Sequence, residues 1–207
     1  MVVGLGTGRT ANYAITAISK LVSEGMEIIA IPTSDATADL ARKLGITLSS
    51  LDEHDDIAVT IDGADEVDRS LNLIKGRGGA LVREKIVAAS TRKEIIVVDE
   101  RKIVDILGHG QPVPVEILKF GSRCTLNHLS ELGADTVLRE SGRAAYMTDN
   151  GNYIADCKFD SIADPRKLER DIDSIPGTVE CGLFVGIAHA VVVGSESGAK
   201  ILRRNAS

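Results

Sequence analysis

A chain of 207 residues can bury a substantial core and hold one large domain, or one domain and a smaller companion. Hydrophobic content of 43%, charged content of 26% and a net charge of −6 describe an ordinary globular protein and speak against a nucleic-acid partner, because Arg203-Arg204 is too short a basic tract to hold one. Apolar stretches such as residues 188–193 fall far short of a membrane span, and Met1-Val2-Val3-Gly4 lacks the basic region and cleavage site of a signal peptide, so neither a membrane nor secretion is expected. Cys124, Cys157 and Cys181 are widely spaced without a Cys-x-x-Cys pair. They read as small buried residues of a reducing compartment, not as a zinc site or a disulfide framework.

The first half of the chain alternates two periodicities. Val2-Val3-Gly4-Leu5 predicts a short buried strand, and residues 10–22 a helix with Ile15, Ile18 and Val22 on one face. Ile28-Ile29-Ala30-Ile31 is a second strand stopped by Pro32. A helix capped by Thr33 or Ser34 follows, running through Leu40, Ala41 and Leu44 to Gly45. Residues 57–61 and 95–98 are further β-branched strands, with a helix over 79–89 between them. Such alternation predicts an α/β fold: a doubly wound, mostly parallel, Rossmann-like sheet. From residue 112 the order changes. A strand over 112–117, a helix over 122–132, a strand over 135–139, a hairpin over 146–159 turning at Asp149-Asn150-Gly151-Asn152, a helix from Asp164-Pro165 to Ile175 and a strand over 179–184 give β-α-β-β-α-β. That is the order of an α+β ferredoxin-like small domain, inserted over 110–182 between the parts 1–109 and 183–207 of the larger one. Residues 190–193 and 198–202 predict a last strand and helix that rejoin the first sheet.

Two loops carry most of the chemistry. Gly4-Leu5-Gly6-Thr7-Gly8-Arg9-Thr10 turns a strand into a helix, where glycines and free amides suit an anion. A dinucleotide fingerprint would have glycine or alanine at Arg9 and an acid where Pro32-Thr33-Ser34 stands, so a monophosphate fits better; a simple tight turn is the plainer alternative. Asp62-Gly63-Ala64-Asp65 follows a strand directly, at the sheet edge where open α/β folds bind ligands, whereas Glu66 and Asp68 are expected to face solvent. Lys75-Gly76-Arg77-Gly78-Gly79 is a glycine-broken loop whose lysine suits a phosphate or a developing oxyanion. Glu84 lies a turn into the helix that follows, and Lys102 lies beyond another strand edge; on their own, both also suit a solvated face.

Taken in order, Gly-Leu-Gly-Thr-Gly, Pro-Thr-Ser, Asp-Gly-Ala-Asp-Glu-Val-Asp, Lys-Gly-Arg-Gly-Gly-Ala-Leu-x-Arg-Glu-Lys-Ile and Val-Asp-Glu-Arg-Lys resemble the type A ribose-5-phosphate isomerases, and the likeness spans essentially the whole chain. It implies aldose–ketose interconversion of ribose 5-phosphate and ribulose 5-phosphate through a cis-enediolate, in the pentose phosphate pathway, with no cofactor and no metal. It also implies a cytoplasmic homodimer or homotetramer. By the same resemblance, Glu84 is the proton acceptor, Asp62 assists ring opening and Lys75 is the electrophile. Thr7, Gly8, Arg9, Thr10, Ser34, Asp62, Gly63, Ala64, Asp65, Lys75, Gly76, Arg77, Gly78 and Lys102 bind the substrate. Two features depart from the family: Arg9 replaces a common serine, and a helix is expected ahead of the first strand. A non-catalytic sugar-phosphate sensor on this scaffold is the competing class, and it would have no need of Glu84 and Lys102 together. A dehydrogenase is a third option, which Arg9 disfavours.

Overall fold

The computed structural model describes residues 1–204. In chain order the elements are β1 (Val2–Leu5), α1 (Arg9–Ser23), β2 (Ile29–Pro32), α2 (Asp35–Lys43), β3 (Val59–Asp62), β4 (Glu66–Val67), β5 (Leu73–Ile74), α3 (Leu81–Ala89) and β6 (Glu94–Asp99). A 3₁₀ turn at Glu100–Lys102 leads to β7 (Val113–Ile117), α4 (Ser122–Glu131), β8 (Asp135–Leu138), β9 (Glu140–Ser141), β10 (Ala144–Ala145) and β11 (Tyr153–Lys158). Then come α5 (Pro165–Asp173), β12 (Thr178–Cys181), β13 (Leu183–Phe184), β14 (Ala190–Ser195) and β15 (Gly198–Arg203).

Met1–Ala64, Arg83–Glu100 and the chain from Ile187 onward form one compact unit. Its sheet runs β2-β1-β3-β6-β14-β15, with the first five strands parallel and β15 antiparallel. Alternation along each strand sends Val3, Leu5 and Ala30 to one face, where Ile15 and Ile18 of α1 and Ala41 of α2 cover them. Ile31 packs with Ile57 and with Val87 of α3 in a separate cluster. Each such large side chain, removed from water, contributes about 1.5–3 kcal/mol. Strand order reverses between β1 and β3, so their carboxyl ends flank the crevice that doubly wound sheets offer to ligands.

Asp65–Val82 and Arg101–Gly186 form the second unit. Its four-stranded antiparallel sheet runs β12-β7-β11-β8, and with α4 and α5 it gives β-α-β-β-α-β in ferredoxin-like order. Leu129 of α4 and Ile172 of α5 pack on Val113, Val115, Ile117, Ala155 and Cys157. Compactness groups 65–82, 101–109 and 183–186 with 110–182, because Ile74, Leu107 and Leu183 share this core.

Several elements differ from expectation. Residues 198–202 form a strand, not a helix. Gly198 at φ 128 reverses the chain after Ser195, and β15 then pairs along the whole of β14, satisfying an edge that a helix would leave open. The Asp149–Asn152 turn exists, with Gly151 N–H on the Thr148 carbonyl at 2.9 Å, but β11 finds its neighbours in β7 and β8. The turn is instead docked on the fully buried Glu116, which accepts from Asn150 and Asn152 Nδ2. The expected strand over 179–184 is two, broken at Gly182, after which β13 joins β5 and β4 in a small antiparallel sheet. Cys157 and Cys181 are buried as expected, whereas Cys124 is exposed on α4.

Candidate active site

In the first unit, the glycine loop after β1 and the acid that ends β3 are built together. Gly6 N–H donates to the Ile61 carbonyl at 2.9 Å, continuing the β1–β3 pairing past the end of β1. Thr7 N–H and Gly63 N–H both donate to Asp62 Oδ1, at 3.1 and 2.6 Å. Asp62 is 1% exposed, so its carboxylate is oriented by backbone amides in a site largely closed to water. Gly6 is required here because a Cβ at that position would lie 2.1 Å from Asp62 Oδ1 and 2.5 Å from its Cα.

A cluster of hydroxyls adjoins the loop. Thr7 Oγ1 lies 2.8 Å from both Thr33 Oγ1 and Ser34 Oγ and 3.1 Å from Thr37 Oγ1. Thr33 donates to the Leu5 carbonyl, Thr37 to the Gly6 carbonyl and Ser34 to Thr37 Oγ1. Each proton in the cluster thereby has an acceptor, which fixes the side chains in place. Ser34 also caps α2 by accepting the Thr37 N–H at 3.0 Å, and Asp35 occupies that helix's first turn. α1 differs: its cap is Gly8 at φ 107, with no acid in its first turn, so its positive end and first amides suit an added anion. Gly8 and Arg9 are exposed and Thr10 is half-buried at this helix start. Thr33 and Thr37 extend the expected set. Thr37 was readable as the third helical position after a serine cap, but its reach to Gly6 depends on the parallel pairing of β1 and β2.

Glu84 is 4% exposed in the first turn of α3, so the solvated-face alternative does not hold. The neighbouring Arg83 donates to Asp35 Oδ1 at 2.7 Å, which ties the start of α3 to the start of α2. With Asp35 72% exposed, this pair orients more than it stabilises.

In the second unit, Lys75 directly follows β5 and is 2% exposed, its ammonium 5.3 Å from the centre of the Phe184 ring. Its backbone N–H donates to the Gly182 carbonyl at 2.8 Å. A Cβ on Gly182 would come within 2.2 Å of the Lys75 carbonyl oxygen, so the position between β12 and β13 requires glycine. Asp65 Oδ2 accepts the Arg77 N–H at 3.0 Å, so an expected binding acid shapes the expected binding loop. Gly76 is buried, whereas Arg77 and Gly78 are exposed. Tyr146 Oη donates to the Gly78 carbonyl at 3.2 Å, and burial raises its phenol pKa, keeping that donor protonated. Lys102 ends the 3₁₀ turn and is half-buried.

Glu66 and Asp68 do not face solvent as expected. Glu66 is 2% exposed and accepts backbone N–H groups of Gly108, Gly110 and Gln111 at 2.7–2.8 Å. Asp68 closes the β4–β5 turn by accepting from Ser70 and Asn72. Spacing does not reveal such roles, because the amides that recruit Glu66 lie more than forty residues away.

Among the described residues, no helix is long and apolar enough to cross a membrane. The one cluster there with metal-ligand proximity, Asp173, Glu180 and Cys181, includes none of the expected site residues.

The model of the family Ribose 5-phosphate isomerase A (phosphoriboisomerase A) matches residues 29–198. Ribose-5-phosphate isomerase A of Gloeobacter violaceus is 50% identical over 208 aligned residues, covering 100% of this chain and 90% of that protein. The protein of the same name from Gluconobacter oxydans is 50% identical over 96% of this chain and 87% of its own length. Among solved structures, a D-ribose-5-phosphate isomerase in complex with phospho-erythronic acid is similar with a TM-score of 0.96 and 43% identity, covering 99% of this chain and 91% of that one. The ribose 5-phosphate isomerase of Plasmodium falciparum is similar with a TM-score of 0.96 and 40% identity, covering 100% and 92%. With the motif residues in order and the likeness running the length of the chain, it belongs to the ribose 5-phosphate isomerase A family.

Proposed function

We infer that this chain interconverts D-ribose 5-phosphate and D-ribulose 5-phosphate. The observation that carries the reading is the family match over residues 29–198, which takes in Asp62, Lys75 and Glu84. The reaction moves a proton between C2 and C1 of the open-chain sugar, and one buried carboxylate can perform both transfers. Glu84 takes the C2 proton and returns it to C1, giving a cis-enediolate between the two steps. Asp62, held by two amides, assists opening of the furanose ring, which exposes the carbonyl that acidifies C2. Lys75 stabilises the oxygen that gains negative charge. Thr7, Gly8, Arg9, Thr10 and Ser34 hold the phosphate, supported by the hydroxyl cluster and the open start of α1. Gly63, Ala64, Asp65, Gly76, Arg77, Gly78 and Lys102 contact the sugar.

The substrate is a small sugar phosphate, handled in the cytoplasm without nucleic acid or membrane. The protein works as a homodimer or homotetramer, with 110–182 contributing contacts between copies. Catalysis needs neither cofactor nor metal, since a lysine does the electrophile's work. A coupled assay for ribulose 5-phosphate in the presence of a chelator tests this. Turnover unaffected by EDTA is expected; activity that a divalent ion alone restores overturns the lysine mechanism, and binding without turnover establishes a sensor instead.

A further inference from the structure

We propose that Arg139 is a positioning residue for the isomerisation, fixing the loop that carries Lys75 through the carbonyls of Gly76 and Arg77. The inference rests on the reading of Lys75 as electrophile. Arg139 sits between β8 and β9, with its own backbone held on both sides: its N–H donates to the Ile154 carbonyl, and its carbonyl accepts from Tyr146 N–H, both at 2.8 Å. Its guanidinium is divided between two targets. Nε and Nη2 grip Asp156 at 2.9 and 2.5 Å, while Nη1 donates to the Gly76 carbonyl at 3.1 Å and the Arg77 carbonyl at 3.0 Å. Tyr146 takes the next carbonyl, that of Gly78, and its ring lies 5.8 Å from the guanidinium carbon. Three successive carbonyls after Lys75 are therefore held by two side chains from a distant part of the sequence.

The chemistry explains the choice of residue. A planar guanidinium can chelate a carboxylate with one edge and address a pair of carbonyls with the rest of its fork, whereas a lysine offers one point of charge. The loop needs the help. Fixing a backbone residue costs about 1–2 kcal/mol, and glycines lose the most freedom of all. The Arg139 and Asp156 side chains are 15% and 19% exposed, so the clamp is shielded but reachable. It borders a cavity of about 310 Å³ also lined by Arg77 and Gln111. The sheet does not depend on the clamp, because β11 carries Asp156 between β7 and β8 by backbone pairing alone. What the clamp controls is the placement of the ammonium, and misplacing a reacting group by about an ångström can cost on the order of 10²-fold in rate.

The test compares Arg139→Ala, Arg139→Lys and Lys75→Met with the native protein in steady-state kinetics on ribose 5-phosphate, alongside thermal melts. Arg139→Ala is expected to lower kcat by roughly 10–100-fold because the ammonium is misplaced, with a smaller rise in KM because Gly76, Arg77 and Gly78 also contact the sugar. Arg139→Lys, which keeps the ion pair but not the fork, should fall between. Added guanidinium at non-denaturing concentration should enter the adjoining cavity and restore part of kcat in Arg139→Ala, but not in Lys75→Met. Native kcat in both Arg139 variants overturns the proposal, as does a loss that follows the melting temperature and resists guanidinium. If Arg139→Ala does not fold, Arg139→Lys decides by the same kcat criterion. An active Lys75→Met overturns the electrophile reading and this proposal with it; an inactive Lys75→Met beside a fully active Arg139→Ala overturns only the clamp.

Discussion

Gly6→Ala isolates the close approach on which the first half of the site depends. The added Cβ would sit 2.1 Å from Asp62 Oδ1, 2.2 Å from its Cγ and 2.5 Å from its Cα. Carbon atoms normally rest about 3.5–4.0 Å apart, so the backbones must part by roughly an ångström or more. Rotating the Asp62 side chain leaves the Cα clash in place. Overpacking of this kind costs about 1–3 kcal/mol, and stretching the Gly6–Ile61 hydrogen bond adds about 1 kcal/mol. For a chain of this size each kcal/mol lowers the melting temperature by about 2–4 °C, so a drop of roughly 4–16 °C is expected. Activity should fall further than stability, because the Thr7 amide that orients Asp62 moves with the strand. Gly63→Ala is the control. Its Cβ would meet nothing nearer than the Val97 carbonyl oxygen at 3.9 Å, so its melting temperature should match the native one. KM should nevertheless rise if substrate passes over the Gly63 backbone. Calorimetry and steady-state assays on both variants decide the matter. A Gly6→Ala protein with native melting temperature and turnover would show that this contact does not position the acid.

Glu84→Gln keeps shape but cannot accept a proton, so kcat should fall by at least about 10²-fold, with no solvent deuterium entering C1 of the ketose. Near-native turnover would pass the role to Asp62 or Asp65. Thr10→Val should raise KM far more than it lowers kcat, since phosphate is held alike in ground and transition states; a pure kcat effect would count against phosphate binding at the start of α1. Burial pushes the Cys157 thiol up to about 12, so it stays a neutral thiol at pH 8. Iodoacetamide should therefore label exposed Cys124 in the native protein and reach Cys157 only after unfolding, which peptide mass mapping would resolve.

Local pattern determined much of this protein. Continuous β-branched runs such as Ile95-Ile96-Val97-Val98, caps such as Ser34 and Asp164, and glycines after strands placed the parallel sheet, the ferredoxin-like order and the two chemical loops from residues a few positions apart. Tertiary structure decided what depends on partners far along the chain. Residues 198–202 became a strand because β14 offered an open edge, overriding a weak local helical pattern. Glu66 became a buried anchor because the amides of 108–111 came to it, and position 182 came to require glycine because the Lys75 carbonyl lies against it. Arg139 looked like any strand-end arginine until folding brought Gly76 and Arg77 beneath its guanidinium. The reason is physical: helix and turn preferences act over one or two turns of chain, whereas buried charge is stabilised by whatever donors the fold delivers.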